Sequence, residues 1–181
     1  MTAADAAASA LSIVWEVGGM TFATLEAGGS TFALRRAQRG DLAALVALIA
    51  ADSLRAAEET PDPEGSEPYE RAFDAIDADD AQTLTVLETA DGRVVGTMQL
   101  TVIPGLARRG ATRMQIEAVR VSEELRGLGL GSAMMEWAIG RAREDGVSLV
   151  QLTSDARRVD AHRFYERLGF AASHVGFKLF L

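Results

Sequence analysis

The stretch Arg126-Gly127-Leu128-Gly129-Leu130-Gly131-Ser132 decides the fold. Apolar residues alternate just before it, over 114–121, and recur at helical spacing just after it, over 130–143. The order read is strand, tight glycine turn, helix start. Three glycines at spacing two leave the backbone bare where a helix begins. The first four N–H groups of a helix lack an internal partner and stand at the positive end of its dipole. Such a turn is an anion site, and phosphate is its usual guest. Arg126 adds a fixed positive charge beside it. The run Arg126, Gly127, Leu128, Gly129, Leu130, Gly131 and Ser132 therefore predicts a pyrophosphate cradle.

The spacing narrows the guest. A dinucleotide fingerprint needs G-x-G-x-x-G, and a nucleotide P-loop ends in Gly-Lys-Ser/Thr. Here the pattern is G-x-G-x-G with no lysine after it, and it lies two-thirds of the way along the chain. Arg-x-x-Gly-x-Gly after a strand resembles the coenzyme A loop of the GNAT superfamily of N-acetyltransferases. A second motif supports the first. Asp160-Ala161-His162-Arg163-Phe164-Tyr165-Glu166-Arg167-Leu168-Gly169-Phe170 is similar to the GNAT segment Ala-x-x-Phe-Tyr-x-x-x-Gly-Phe. It follows the glycine turn with one strand between. The resemblance runs from about residue 31 to the end. One position departs from it: members commonly carry Asn three residues before that alanine, and this chain has Arg158.

The resemblance implies a set of roles. Acetyl-CoA is the expected co-substrate, with its pantetheine arm along the backbone of Val119, Arg120 and Val121, as an added strand would lie. That requires a strand splayed from its neighbour, because paired amides have nothing left to give. A backbone N–H near Val119 would meet the oxyanion. Tyr165 is the expected acid for the leaving thiolate, a phenol of pKa about 10 being able to protonate it. Glu117, a carboxylate in an apolar strand, is the candidate base. A half-buried glutamate would suit that task, and an ion pair with Arg113 or Arg120 is the structural alternative. Arg158 is expected at the coenzyme or its phosphates. His162 either touches the coenzyme or faces solvent.

Bulk composition closes other routes. The chain has 181 residues, fitting one domain and burying roughly 70% of its unfolded surface. It has no cysteine, so disulfides, thiolate metal sites and a cysteine acyl-enzyme are excluded. Its two histidines, His162 and His174, make a multi-histidine metal site a poor expectation, and no metal is called for. No Gly-x-Ser-x-Gly elbow is present. A net charge of −8 disfavours nucleic acid as a partner and mildly favours a cationic one. No apolar run approaches 18 residues, so no membrane span is expected, and residues 6–15 lack the basic start of a signal peptide. A cytoplasmic location follows as an expectation.

The remaining segments read as follows. Residues 1–30 are an N-terminal extension, with two short strands, 11–17 and 20–26, about Gly18-Gly19. Residues 31–181 are the acetyltransferase-like domain. Within it 31–37 is a strand, 41–57 a helix with Leu42, Leu45, Val46, Leu48 and Ile49 on one face, 60–68 an acidic loop, and 69–78 a helix with Phe73 and Ile76 inward. Strands 83–88 and 93–103 flank the turn signal Ala90-Asp91-Gly92. A basic loop at 104–109 precedes strand 114–121. Helix 130–145, strand 147–153, helix 156–168 and closing strands 170–173 and 175–181 follow. Antiparallel hairpins and then a strand–helix–strand–helix unit predict an α/β domain: a mixed, mostly antiparallel sheet with helices on both faces. The reading overall is an N-acetyltransferase acting by direct attack on a small-molecule or peptide amine, with a homodimer through the closing strands as a further expectation. A non-catalytic acyl-CoA-binding module and a transferase of longer acyl groups are the alternatives.

Overall fold

The computed structural model describes residues 12–15, 21–51 and 66–181, with 12–15 as backbone alone. Alternation builds most of the sheet. Along β2 (Thr21–Ala27), every second side chain, Ala23, Leu25 and Ala27, is buried. β1 (Ser12–Trp15) pairs antiparallel with β2, and β2 with β3 (Ser30–Arg36). β4 (Gln82–Thr89) and β5 (Val94–Ile103) extend the antiparallel ladder. β6 (Arg113–Val121) pairs antiparallel with β5 and parallel with β7 (Leu149–Leu152). Among the described residues seven strands lie in chain order, β1 to β7. This is the expected α/β arrangement, and the hairpin about 18–19 forms, although its turn lies outside the described residues.

Helices cover both faces. α1 (Leu42–Ala50) and α2 (Glu67–Asp77) lie on one side, where Leu45 and Phe73 bury against Ala37 and Val86, and a single turn, α3 (Ala107–Gly110), links β5 to β6. On the other side α4 (Leu130–Glu144) buries Leu130, Met134, Met135 and Trp137 against Leu25, Leu34, Leu87, Met98 and Ile116. Each such side chain contributes about 1.5–3 kcal/mol of apolar burial. Trp137 also stacks on Phe22 of β2, with ring centroids 5.1 Å apart. The strand read as part of an extension is thus built into the main core. α5 (Val159–Arg167) lays Phe164, Tyr165 and Leu168 on the same cluster.

Boundaries differ where local chemistry outweighs pattern. α2 begins at Glu67, two residues before the expected start, because Pro68 sits in the first turn, where a missing N–H is no loss. The expected helix over 156–168 starts only at Val159. Asp155 holds the preceding residues in a turn by accepting from the backbone N–H of Arg157. The expected continuation of α1 over 52–57 and the acidic loop over 60–65 lie outside the described residues. The closing strands over 170–173 and 175–181 do not form. Residues 170–181 run without helix or strand, and Val175, Phe177, Leu179 and Phe180 are between 79% and 92% exposed. Alternation supplies a face, whereas a strand also needs a ladder partner, and the sheet ends at β7.

Candidate active site

Two irregularities in β6 shape the site. β6 and β7 pair from Arg113↔Leu149 to Ile116↔Leu152 and no further. Along Glu117–Val121, β6 has a partner on its β5 side only. The splay that the sequence reading required is present. Second, β6 carries a bulge. Thr97 pairs with Arg120 and Gln99 with Glu117, so Ala118 and Val119 together oppose Met98. Ala118 absorbs the extra residue at φ 51°, in the left-handed region that a residue with a Cβ seldom occupies. The bulge re-aims the backbone at Val119, where β7 has already turned away.

The glycine turn opens at the far end of the same strand. Gly127 and Gly129 hold φ values of 85° and 83°, which explains their identity. A Cβ on either would meet nothing within 4 Å, so the surface above them is open. Gly129 is the N-cap of α4 and offers no side chain to its amides. The first intrahelical bond is donated by Ala133 to Gly129, which leaves the Leu130, Gly131 and Ser132 N–H groups at the end of the dipole. No acidic residue stands in that first turn to occupy them. These residues fit a diphosphate. Arg126 is exposed and leans on Glu123 at 3.6 Å. Leu128 is partly exposed and meets the β2–β3 turn, where a Cβ on Gly28 would stand 3.3 Å from its Cδ1.

Tyr165, on α5, packs on the same core cluster as Val119 and Val121 of β6. Its ring is half-buried against Phe164 and Phe170, with centroids 5.2 and 6.1 Å away, both edge-on. Burial pushes its phenol above the usual range, while the nearby charges of Arg120 and Arg158 pull it back part of the way. Two expected coenzyme contacts, one on β6 and one at the N-cap of α5, therefore lie within electrostatic reach of the tyrosine. Arg120 also donates from Nη1 to the Val119 carbonyl at 2.8 Å. His162 is tied down locally: its Nε2 lies 2.9 Å from the Asp155 carbonyl.

Glu117 differs from expectation. It is exposed rather than half-buried, and it makes no ion pair with Arg113, Arg120 or any other described residue. The bulge begins immediately after it, and its side chain points away from the buried Met114 and Ile116. That outward face is polar across four strands. Gln99 and Thr101 both donate to Gln82 Oε1, at 3.0 and 2.7 Å, and Gln151 donates to Gln115 Oε1 at 2.8 Å. This floor was not read from the sequence. Alternating glutamines in apolar strands were its only signal. The Ala118 bulge left no signal at all.

Among the described residues no group of three or more His, Cys, Asp or Glu side chains is placed to hold a metal ion. No helix among them is long and apolar enough to cross a membrane.

Comparison with known proteins agrees with this geometry. The acetyltransferase (GNAT) family matches residues 49–170. An aminoalkylphosphonate N-acetyltransferase of Salmonella typhimurium is 40% identical over 63 residues, covering 35% of this chain and 41% of the relative. A glucosamine 6-phosphate N-acetyltransferase of Trypanosoma brucei brucei is 37% identical over 81 residues, covering 45% and 53%. The chain thus spans about half or less of the length of these curated relatives. Among solved structures, a transcriptional regulator from Bacillus halodurans superposes with a TM-score of 0.79 at 41% identity, over 83% of this chain and 99% of that one.

Proposed function

The chain belongs to the acetyltransferase (GNAT) family, and on that premise we propose that it moves the acetyl group of acetyl-CoA to a small primary amine by direct attack in a ternary complex. The observation that carries this reading is the parting of β6 from β7 after Ile116↔Leu152. It ends the β6–β7 ladder short of Val119 and of the open glycine turn that follows β6.

Each residue then has a task. The amides of Leu130, Gly131 and Ser132, with Arg126 beside them, bind the diphosphate. The backbone of β6 at Val119 and Val121, beyond its last pair with β7, takes the pantetheine amides. Glu117, exposed on the polar face, accepts the ammonium proton directly or through water, so that the amine can attack. The Val119 N–H donates to the carbonyl oxygen as it gains charge. As the C–S bond breaks, Tyr165 gives its proton to the departing thiolate, and the phenolate, steadied by Arg120 and Arg158, takes back the second proton that the nitrogen sheds as the amide forms. Both curated relatives are named for amines that carry a phosphonate or phosphate, which favours a small acceptor. The chain's missing cysteine accords with transfer without an acyl-enzyme. A second copy is the proposed cover for the exposed apolar segment Val175–Leu181, which lies beyond an unpaired β7 edge.

Thiol release from acetyl-CoA, followed across a panel of primary amines, tests this reading. Amine-dependent release is expected, and its absence with every amine would leave a second one. The regulator name of the Bacillus halodurans structure favours that alternative, an acyl-CoA-sensing module without turnover.

A further inference from the structure

An open cavity of about 310 Å³ lies at the other end of the β6–β7 pair from the splay. Arg113 and Gln151 line its sheet side, and Gly105 and Arg108 line its loop side. The face matters. Arg113 shares it with Gln115 and Glu117, since Met114 and Ile116 point the other way into the core. The cavity therefore sits on the polar floor that holds the candidate base, about 13 Å along the strand at ~3.3 Å per residue.

The charge there is unusual for this molecule. The chain carries −8 overall, yet no acidic residue lines the cavity. The side chains of Arg108, Arg109 and Arg113 make no ion pair or hydrogen bond with any described residue. Elsewhere most described arginines lean on a carboxylate, as Arg35, Arg39, Arg93, Arg141 and Arg157 do. The backbone is specialised as well. Arg108 and Arg109 hold φ values of 55° and 63° within the single turn α3 (Ala107–Gly110), a conformation that residues with a Cβ avoid. Gly105 makes room beneath: a Cβ there would stand 3.3 Å from Arg113 Nη1 and 3.1 Å from the Ala111 carbonyl. Strain held in a loop that presents paired cations is a common mark of a binding site.

We infer that this cavity is an anion subsite for the acceptor, whose substrate is a small primary amine carrying a phosphonate or phosphate. Arg108 and Arg113 grip the oxyanion with their planar forks, and Gln151 adds a donor. The amine then extends along the polar floor toward Glu117. Two guanidinium groups match a doubly charged tetrahedral oxyanion better than a singly charged carboxylate. The inference rests on the acetyl-transfer reading for its amine end only; the anion end stands on the cavity.

Two measurements on the full chain separate these ends. Methylphosphonate and acetate are titrated into wild type, Arg108→Met and the double variant Arg108→Met/Arg113→Met. Acetyl transfer to O-phosphoethanolamine, β-alanine and ethanolamine is then compared by kcat/KM. Methylphosphonate is expected to bind wild type more tightly than acetate, and at least tenfold less tightly to the double variant. The preference for O-phosphoethanolamine over ethanolamine should fall by a similar factor. Arg108 is exposed, so its single variant folds and should show a partial loss if the double variant does not. Methylphosphonate that fails to bind wild type, or binds the variants equally well, overturns the subsite even if every amine is acetylated. An acetate or β-alanine preference overturns the phosphonate or phosphate assignment. Phosphonate binding that the variants lose, without transfer to any amine, upholds the subsite and removes the acetyl-transfer reading instead.

Discussion

Ile116 and Leu152 are the last residues at which β6 and β7 pair. Beyond them β6 continues in pairing with β5 as far as Val121, ahead of the glycine turn.

Replacing Tyr165 with Phe removes one hydroxyl and keeps the ring packed on Phe164 and Phe170. Turnover should fall about 100-fold, while acetyl-CoA affinity stays within a factor of about three. The phenol is held above its ordinary value of about 10, so it stays protonated through neutral pH. In wild type the rate should therefore decline only above about pH 10, and the variant should lack that decline. Steady-state kinetics from pH 6 to 11 check both statements; equal turnover of the two proteins at every pH would place the acid elsewhere.

Gly129→Glu should abolish coenzyme binding, raising Kd more than about 100-fold. The change puts a side chain on a φ of 83° and a carboxylate where the diphosphate belongs. Gly129→Ala serves as the control for strain alone and should cost about 1 kcal/mol of stability with much weaker loss of binding. Calorimetry with acetyl-CoA separates them, and wild-type affinity in the glutamate variant would refute the cradle.

Ala118 stores strain at φ 51°. Ala118→Gly should stabilise the fold by about 0.5–1 kcal/mol, and Ala118→Val should destabilise it by about 1–3 kcal/mol. Thermal unfolding reads both. A valine variant as stable as wild type would mean that the bulge is not held in this conformation.

Arg35 bridges Asp41 and Glu88 from a mostly buried position, its side chain 12% exposed, with four contacts between 2.7 and 3.0 Å. Burial pushes the Asp41 carboxyl up, but the hydrogen bonds from Arg35 and the Gln38 N–H, with the Arg35 charge, hold it below the usual range. The Arg35 hydrogen bonds hold Glu88 down likewise. A lowered carboxylate contributes stability that is complete above its unfolded value, near pH 4, and lost as pH falls through the folded value. Arg35→Met should cost roughly 2–3 kcal/mol at pH 7. It should also flatten the loss of stability below about pH 4, as followed by urea unfolding at pH 7 and pH 3. Equal sensitivity to acid in the two proteins would assign that loss to other carboxylates.

Phe177→Ser/Leu179→Ser removes two of the exposed apolar side chains from the closing segment. If a second copy covers them, sedimentation should show wild type as a dimer and this variant shifted toward monomer. A monomeric wild type at all concentrations would discard the homodimer.

Parts of the candidate site have a local geometry that their letters demand. Gly127 and Gly129 sit at positive φ, which almost only glycine tolerates, so the turn is legible wherever it occurs. Tyr165 was legible through the spacing of Phe164, Gly169 and Phe170 about it, all on one short helix and its end. The alternation of β2 to β5 and the apolar stripe of α4 also wrote the sheet and its main core into the sequence. Tertiary structure decided what depends on partners distant in the chain. It set where β6 leaves β7, why Ala118 is left-handed, and that Glu117 shares its face of β6 with Arg113 of the arginine-lined cavity. It also denied a ladder to residues 170–181, whose alternation had promised strands. Periodicity encodes which face of a segment is apolar, and backbone sterics encode where glycine must stand. Neither encodes which edge a strand will find, because that choice belongs to the whole packed sheet.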